Sequence, residues 1–432
     1  MRLRSLGFGT LMSAFLAVWP AGFQLLAQQA HEHQGERILD LKYRDIPSLL
    51  DRHNLRLRAS QSRLAANAAR LGLTDESFYP KFELKSSFES FRTGSANVKW
   101  QPTASAVAIL NVYNGGLDKI AENLTSSQQG YLQAERTILR KNKLAAARKL
   151  FWEYVYHDKI LSVYDDAARW LVSAQKQTQK RIAAGTAARS ESIEFELRLL
   201  KLQQAKEAAQ QRQRTQQKEL LVELGLHQYS GIHVEHTPED ADFWQKRFNH
   251  DESHHKILLE KFAHHRRSKQ LQIERIKASA GPSLELFGGL AQHNEREKEA
   301  SSSWRRFEQF VGVGISMQVD TKSIMKKERL ALAEEMSAVE LDEQAELAEV
   351  EQHLNLEGQE IEFLRSKVAQ FPAHLALLKK HHKMTLEDFR LGNRNSEDVI
   401  AVILEILETQ LEYAELTSEL NAKLSHMESY FQ

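Results

Sequence analysis

The sequence contains no cysteine. That excludes disulfides, thiolate metal ligands, a cysteine nucleophile and a lipid-modified N-terminal cysteine. Proline and glycine are scarce, at 7 and 19 of 432 residues, so little interrupts helix formation in a chain rich in Ala, Leu, Glu, Gln, Lys and Arg. Net charge is also missing, because 58 Lys and Arg balance 58 Asp and Glu. A neutral chain of this kind is a poor fit to nucleic acid. Beyond the N-terminus no apolar run approaches the roughly 18 residues that a membrane-spanning helix needs. There is no GxSxG, P-loop or HExxH motif, so the sequence offers no catalytic residue, cofactor site or metal site.

What is present begins with an address. The N-terminus places Arg2 and Arg4 before an apolar stretch from Leu6 to Trp19, followed by small residues. That order predicts a secretory signal peptide over 1–27, cut after Ala27 or alternatively Ala30. A retained membrane anchor is the other reading of the same stretch.

The remainder reads as two copies of one plan, 28–225 and 250–432, joined by an irregular linker over 226–249. In each copy a helix (near Leu49–Thr74, then Ile257–Ser279) runs into an alternating segment. "FYPKFELKSSFESF" puts Phe82, Leu84 and Phe88 on one face, and "AGPSLELFGGLAQH" does the same with Leu284, Leu286 and Leu290. Pro80 and Pro282 mark the matching junctions, where proline ends a helix and tolerates a strand start. A second extended segment follows in each half. In "FEQFVGVGISMQVD" the residues Phe307, Val311, Val313, Ile315, Met317 and Val319 share one parity, against Gly312, Gly314, Ser316 and Gln318. "QPTASAVAILNVYNGG" is its weaker counterpart. An ordinary hairpin on a soluble core would show the same alternation.

After each hairpin comes a helix of exceptional length, Leu117–Ala183 and Ser323–Leu391. Some 65 residues span about 100 Å, too long to fold back into a compact domain. Each ends at a glycine, in "RIAAGTAARSE" and "FRLGNRNSED", and a helix restarts at once (Ser190–Leu224 and Ser396–Tyr430).

The last helix carries two seams at heptad spacing. One runs from Val399 through Ile403, Ile406 and Tyr413 to Met427, the other from Ile400 through Leu404, Leu407 and Leu411 to Asn421. Two adjacent seams let one helix pack against a neighbour on each side, and repeated side-by-side packing closes a ring. A third stripe, Asp398, Ala401, Glu405, Glu408, Glu412, Glu415, Glu419, is acidic. It is either a solvated face or the lining of a water-filled interior. The halves differ in sign: Leu117–Gly225 holds 19 Lys and Arg against 13 Asp and Glu, and Ser323–Gln432 holds 11 against 22. Opposite charge favours alternating neighbours. Four strands per chain cannot close a membrane barrel, which needs about eight, so several chains must pool theirs.

In this order and spacing the chain resembles the TolC-type outer membrane efflux proteins. The resemblance rests on the duplicated plan, the Pro80 and Pro282 junctions, the "LNVYNGGLDK" lead into the long helix, and the tip motifs. Those tips are Gly185 with Glu191 and Ile193, and Gly392 with Ser396, Asp398, Val399 and Ile400. It implies a mainly α fold with β-hairpins, a homotrimer whose twelve strands form one outer-membrane β-barrel continuous with a periplasmic α-helical barrel. It further implies a channel of a tripartite efflux or type I export system. Such a channel receives substrates from an inner-membrane pump through a periplasmic adaptor and has no active site or prosthetic group.

By position, Asp398 matches an aspartate ringing the closed periplasmic aperture, and a second family aspartate falls on Ala401. Arg394 matches a constricting arginine with Glu191 as its candidate partner, and Phe389 replaces a tyrosine. Gly185–Thr186 and Gly392–Asn393 match the tips that meet the adaptor. The second half departs at "MQVDTKSIMKK", which lacks the Gly115–Gly116 pair.

Two other readings share features of the sequence. A soluble periplasmic coiled-coil adaptor or scaffold would have the long hairpins without amphipathic strands. Eight of the eighteen histidines fall between His227 and His265, but adjacent pairs such as His254–His255 point in different directions on a helix and do not preorganise a metal site.

Overall fold

The structure is a computed structural model that describes residues 38–71, 79–91, 99–234, 253–292, 307–317 and 323–431. The signal-peptide expectation lies outside these residues. In the first half, β1 (Ile38–Leu41) leads through a short 3-10 turn to α1 (Ile46–His53) and α2 (Leu55–Leu71). Then come β2 (Lys81–Phe91), β3 (Lys99–Tyr113), α3 (Leu117–Ala183), α4 (Arg189–Leu224) and β4 (Gly231–Val234). The second half comprises α5 (Ser253–Ser279), β5 (Pro282–Gln292), β6 (Phe307–Met317), α6 (Ile324–Leu391) and α7 (Ser396–Phe431).

Two sequence expectations change. The single helix expected near Leu49–Thr74 is two helices. Asn54 caps the second, its Oδ1 accepting from the N–H groups of Arg56 and Leu57 at 3.0 and 3.1 Å. Its Nδ2 donates to the Glu223 carbonyl at 2.7 Å. Side-chain competition of this kind favours a break over helix continuation. The linker is also not wholly irregular: β4 lies inside it and pairs in parallel with β1. Residues 235–249 of that linker lie outside the described set.

The long helices form a layer four wide. Towards the strands its order is α2, α3, α5, α6, and towards the tips α4, α3, α7, α6. Helix α7 therefore has a neighbour on each side, α3 and α6. Its Val399, Ile403 and Ile406 are fully buried and Ile400 and Leu407 nearly so, as its two heptad seams require. Long helices are held by this apolar stripe more than by propensity.

Near mid-height the β1–β4 ladder and α1 cover α3 and α4. Leu41, Ile46, Leu50, Phe151, Leu220, Leu224 and Ile232 make the core there. Within it, the Tyr43 hydroxyl donates to Glu428 Oε2 at 2.7 Å, and Arg148 lies 3.3 Å from the same carboxylate. Trp152 Nε1 donates to Ser425 Oγ at 2.7 Å. Arg148 and Glu428 are 2% and 1% exposed, so each is tolerated only because the other is present. This network locks the segment just before α1 to the last helix.

The four strands make one antiparallel sheet ordered β2-β3-β5-β6. Its register aligns Phe82, Ala108, Gly288 and Val311 in one row, and Leu110, Leu286 and Val313 in another. Strand parity therefore becomes one apolar face across both hairpins. Val311 is 91% exposed and Ile315 76%. On the opposite face Phe287 sits over two glycines. A methyl group at Gly312 would come within 2.6 Å of its ring, and one at Gly314 within 3.3 Å. The Gly-Val-Gly of β6 is thus packing space for an aromatic ring donated by the neighbouring strand.

Candidate functional site

The sequence-predicted site residues lie at one end of the helical layer, the tips. There both long helices finish in the same hydrogen-bond pattern. Gly185 (φ 75°) and Gly392 (φ 83°) take the left-handed conformation. Beyond them the Thr186 N–H reaches back to the Arg181 carbonyl, and the Asn393 N–H to that of Asp388, each at 2.9 Å. This is the six-to-one closure of a Schellman motif, which releases the chain for an immediate reversal.

Each returning helix is capped by its own acid. The Ala188 N–H donates to Glu191 Oε1 at 3.3 Å. In the second tip Asn395 and Asp398 exchange bonds: the Asp398 N–H donates to Asn395 Oδ1 at 2.9 Å, and the Asn395 N–H to Asp398 Oδ2 at 3.3 Å. Both carboxylates sit where the helix dipole favours negative charge.

The expected pairing of Arg394 with Glu191 is not the one made within the protomer. Arg394 lies 3.7 Å from Asp398, one turn along its own helix, because Glu191 is committed to its cap. Nor does Phe389 line a surface. It is fully buried among Leu171, Phe195, Val399 and Ile403, so the tyrosine-to-phenylalanine difference falls in packed interior. The two tips are joined by Ser396 of the second tip motif and by Arg181, which no sequence motif singles out. The Arg181 guanidinium lies 4.6 Å over the Phe389 ring and donates to the carbonyls of Phe389 and Arg394 at 3.3 and 3.4 Å. Ser396 Oγ donates to Glu194 Oε2 at 3.1 Å. For Arg181 the hint in the sequence is a basic residue in the last turn of α3, placed to meet its carbonyl end.

At the strand end, the sequence lacks Gly-Gly before α6, yet the residue that immediately precedes each long helix is left-handed. Gly116 (φ 82°, ψ 12°) precedes α3, and Ser323 (φ 54°, ψ 26°) precedes α6. Ser323 is the one non-glycine residue with positive φ among the described residues. At this one position the two halves share a backbone conformation where their sequences differ.

Two helix edges of the layer remain uncovered. On α6, Leu356, Phe363, Leu377, Met384 and Leu391 are each more than half exposed and fall at multiples of seven residues. On α4, Ile193, Leu197 and Leu200 are each 55% exposed at steps of four and three. The acidic stripe of α7 is exposed at Glu405, Glu408, Glu412, Glu415 and Glu419. No described helix is long and apolar enough to cross a membrane.

No protein-family model matches the chain, and no curated protein is similar to it in sequence. Solved structures do match. CusC, reported with conformational changes accompanying folding and transmembrane channel formation, has a TM-score of 0.74 at 11% identity, over 91% of this chain and 92% of that one. VceC, an outer membrane protein of Vibrio cholerae, gives 0.72 at 11% identity, covering 90% and 95%. The open-state MtrE outer membrane channel of Neisseria gonorrhoeae gives 0.66 at 12% identity, covering 92% of each. The fold of this chain is therefore the TolC-like fold of outer-membrane channels, over nearly its whole described length.

Proposed function

We propose that the chain is one protomer of a homotrimeric outer-membrane channel. It would pass substrates from an inner-membrane pump, through a periplasmic adaptor, to the exterior. The observation that carries this reading is the four-stranded sheet at the end of the helical layer opposite the tips. One face is mainly apolar, and among the described residues β2 and β6 are open edges. In a bilayer each unpaired backbone group costs several kcal/mol, so the edges must be paired by further copies. Three copies supply twelve strands.

The uncovered helix edges fit the same assembly. They belong to α4, in the basic half, and α6, in the acidic half, so copies meet head to tail with opposite charge and apolar heptad stripes between them. Such heterologous contacts close into a ring. Within it, the acidic stripe of α7 would line a water-filled tunnel, the tips would narrow its periplasmic mouth, and Gly185–Thr186 and Gly392–Asn393 would face the adaptor. A soluble adaptor or scaffold has no use for the apolar sheet face. Light scattering on the detergent-purified protein should give the mass of a trimer, and planar bilayers containing it should conduct. A monodisperse monomer would overturn the reading.

A further inference from the structure

Helices α3, α6 and α7 enclose a cleft of about 770 Å³ that opens on the face of the layer bearing the acidic stripe. Its wall holds a cluster of unlike side chains. His353 and Glu357 are one turn apart on α6, and His426 reaches in from α7. One ligand atom from each of the three lies within 4.8 Å of the others. Glu357 is 4% exposed. Its carboxylate oxygens stand 2.8 and 2.9 Å from His426 Nδ1 and 3.7 Å from His353 Nδ1. No other trio of His, Asp or Glu gathers in this way among the described residues.

We propose that His353, Glu357 and His426 bind a divalent transition-metal ion of the zinc class. Two imidazoles and one carboxylate are the donors preferred by Zn²⁺ and its late first-row neighbours, whereas Mg²⁺ and Ca²⁺ favour all-oxygen sets. Bonds of about 2.0–2.1 Å to a tetrahedral ion hold neighbouring ligand atoms about 3.3 Å apart. The two separations from Glu357, 2.8 and 3.7 Å, lie on either side of that value, and the three ligand atoms all lie within 4.8 Å of one another, so side-chain adjustments of about 1–1.5 Å seat the ion, with its fourth position open to the cleft.

The surroundings support this assignment. Tyr430 stands edge-on to the His426 ring with centroids 4.9 Å apart, restraining its orientation. Lys423, the nearby cation on α7, hydrogen-bonds Glu360 and leaves the Glu357 carboxylate to the imidazoles. Glu153, Glu415 and Glu419 line the same cleft as Lys149 and Lys423; Lys149 pairs with Glu153 and Lys423 with Glu360, which leaves Glu415 and Glu419, the last members of the acidic stripe, to favour a cation there. Because all three ligands belong to one chain, the site stands independently of the channel reading.

The test titrates Zn²⁺ into the full-length protein in detergent and records visible d–d absorption with Co²⁺ as the spectroscopic probe. The wild type should bind one tight ion per chain and give the intense bands of tetrahedral Co²⁺. His353→Gln and His426→Gln should each weaken that site by about 100-fold or more and abolish the bands. His255→Gln, an exposed change in the His-rich segment, should alter neither. The His353 side chain is 56% exposed, so its variant reports on the site even where His426→Gln perturbs packing. Unchanged affinity in His353→Gln, or no wild-type site tighter than scattered surface histidines provide, overturns the proposal.

Discussion

Ser323 shows how much a single backbone angle decides. It occupies the left-handed region that Gly116 occupies in the first half, at a cost of about 1–2 kcal/mol for a residue with a Cβ. Ser323→Gly should therefore raise the thermal midpoint, with a net gain of about 0.5–1 kcal/mol after the extra unfolded-state freedom of glycine is subtracted. A fall in the midpoint on circular dichroism melting would contradict this. Arg181 is the second decisive residue, since one guanidinium links both tips through two carbonyls and an aromatic face. Hydrogen bonds from a charged donor contribute about 1.5–3 kcal/mol. If the tips close the tunnel, Arg181→Ser should raise single-channel conductance at least as much as Arg394→Ser. Neutralising Asp398 should weaken cation preference and block by divalent cations. Conductance and selectivity unchanged in all three variants would remove these residues from any gate.

At the scale of elements, the sheet's two faces make opposite demands. Val313 belongs to the outward apolar face, while Ser316 is on the other side and shares a 2.6 Å hydrogen bond with Ser283. In a barrel the first faces lipid and the second the lumen. Val313→Arg should impair insertion by about 2–4 kcal/mol if the residue sits near the bilayer midplane, whereas Ser316→Arg should be tolerated. Equal loss of folded, membrane-inserted protein in both variants would show that the faces have been assigned wrongly. The long helices are simpler. Each continues for 67 or 68 residues because one seam or another is covered along its length, and α6 runs on even through Pro372.

For the whole molecule, the uncovered stripe of α6 is the strongest demand for partners. Leu377 and Met384 are 67% and 55% exposed, one heptad apart on a helix whose other side packs on α7. Placing Glu at both positions adds charge to the acidic half and removes apolar surface that a neighbour would cover. If the proposed trimer forms, Leu377→Glu with Met384→Glu should convert it to smaller species in size-exclusion chromatography with light scattering. Helix content should be retained, because neither side chain supports the protomer's own core. An unchanged trimer would locate the contact elsewhere.

Most of the architecture was legible in the chain. The duplicated plan, the limits of α3, the two seams of α7 and the parity of β6 are local periodicities, and a period of 3.5 or 2 needs no tertiary information to be read. The glycine tips were legible for the same reason: the residue permissive for a left-handed turn stands at each reversal. Tertiary structure decided whatever depends on residues far apart in sequence. It set β4 beside β1 inside a stretch without periodicity, and broke a helix at Asn54 because Glu223 offers a partner. It gave Glu191 to its own cap and Arg394 to Asp398, and let Arg181 bridge the tips. The His353–Glu357–His426 cluster has the same origin. A search among neighbouring histidines settles on 227–265, whereas this trio needs two antiparallel helices to bring position 426 beside 353 and 357. Sequence periodicity determines which face of an element is buried; only packing determines which polar groups on different elements meet.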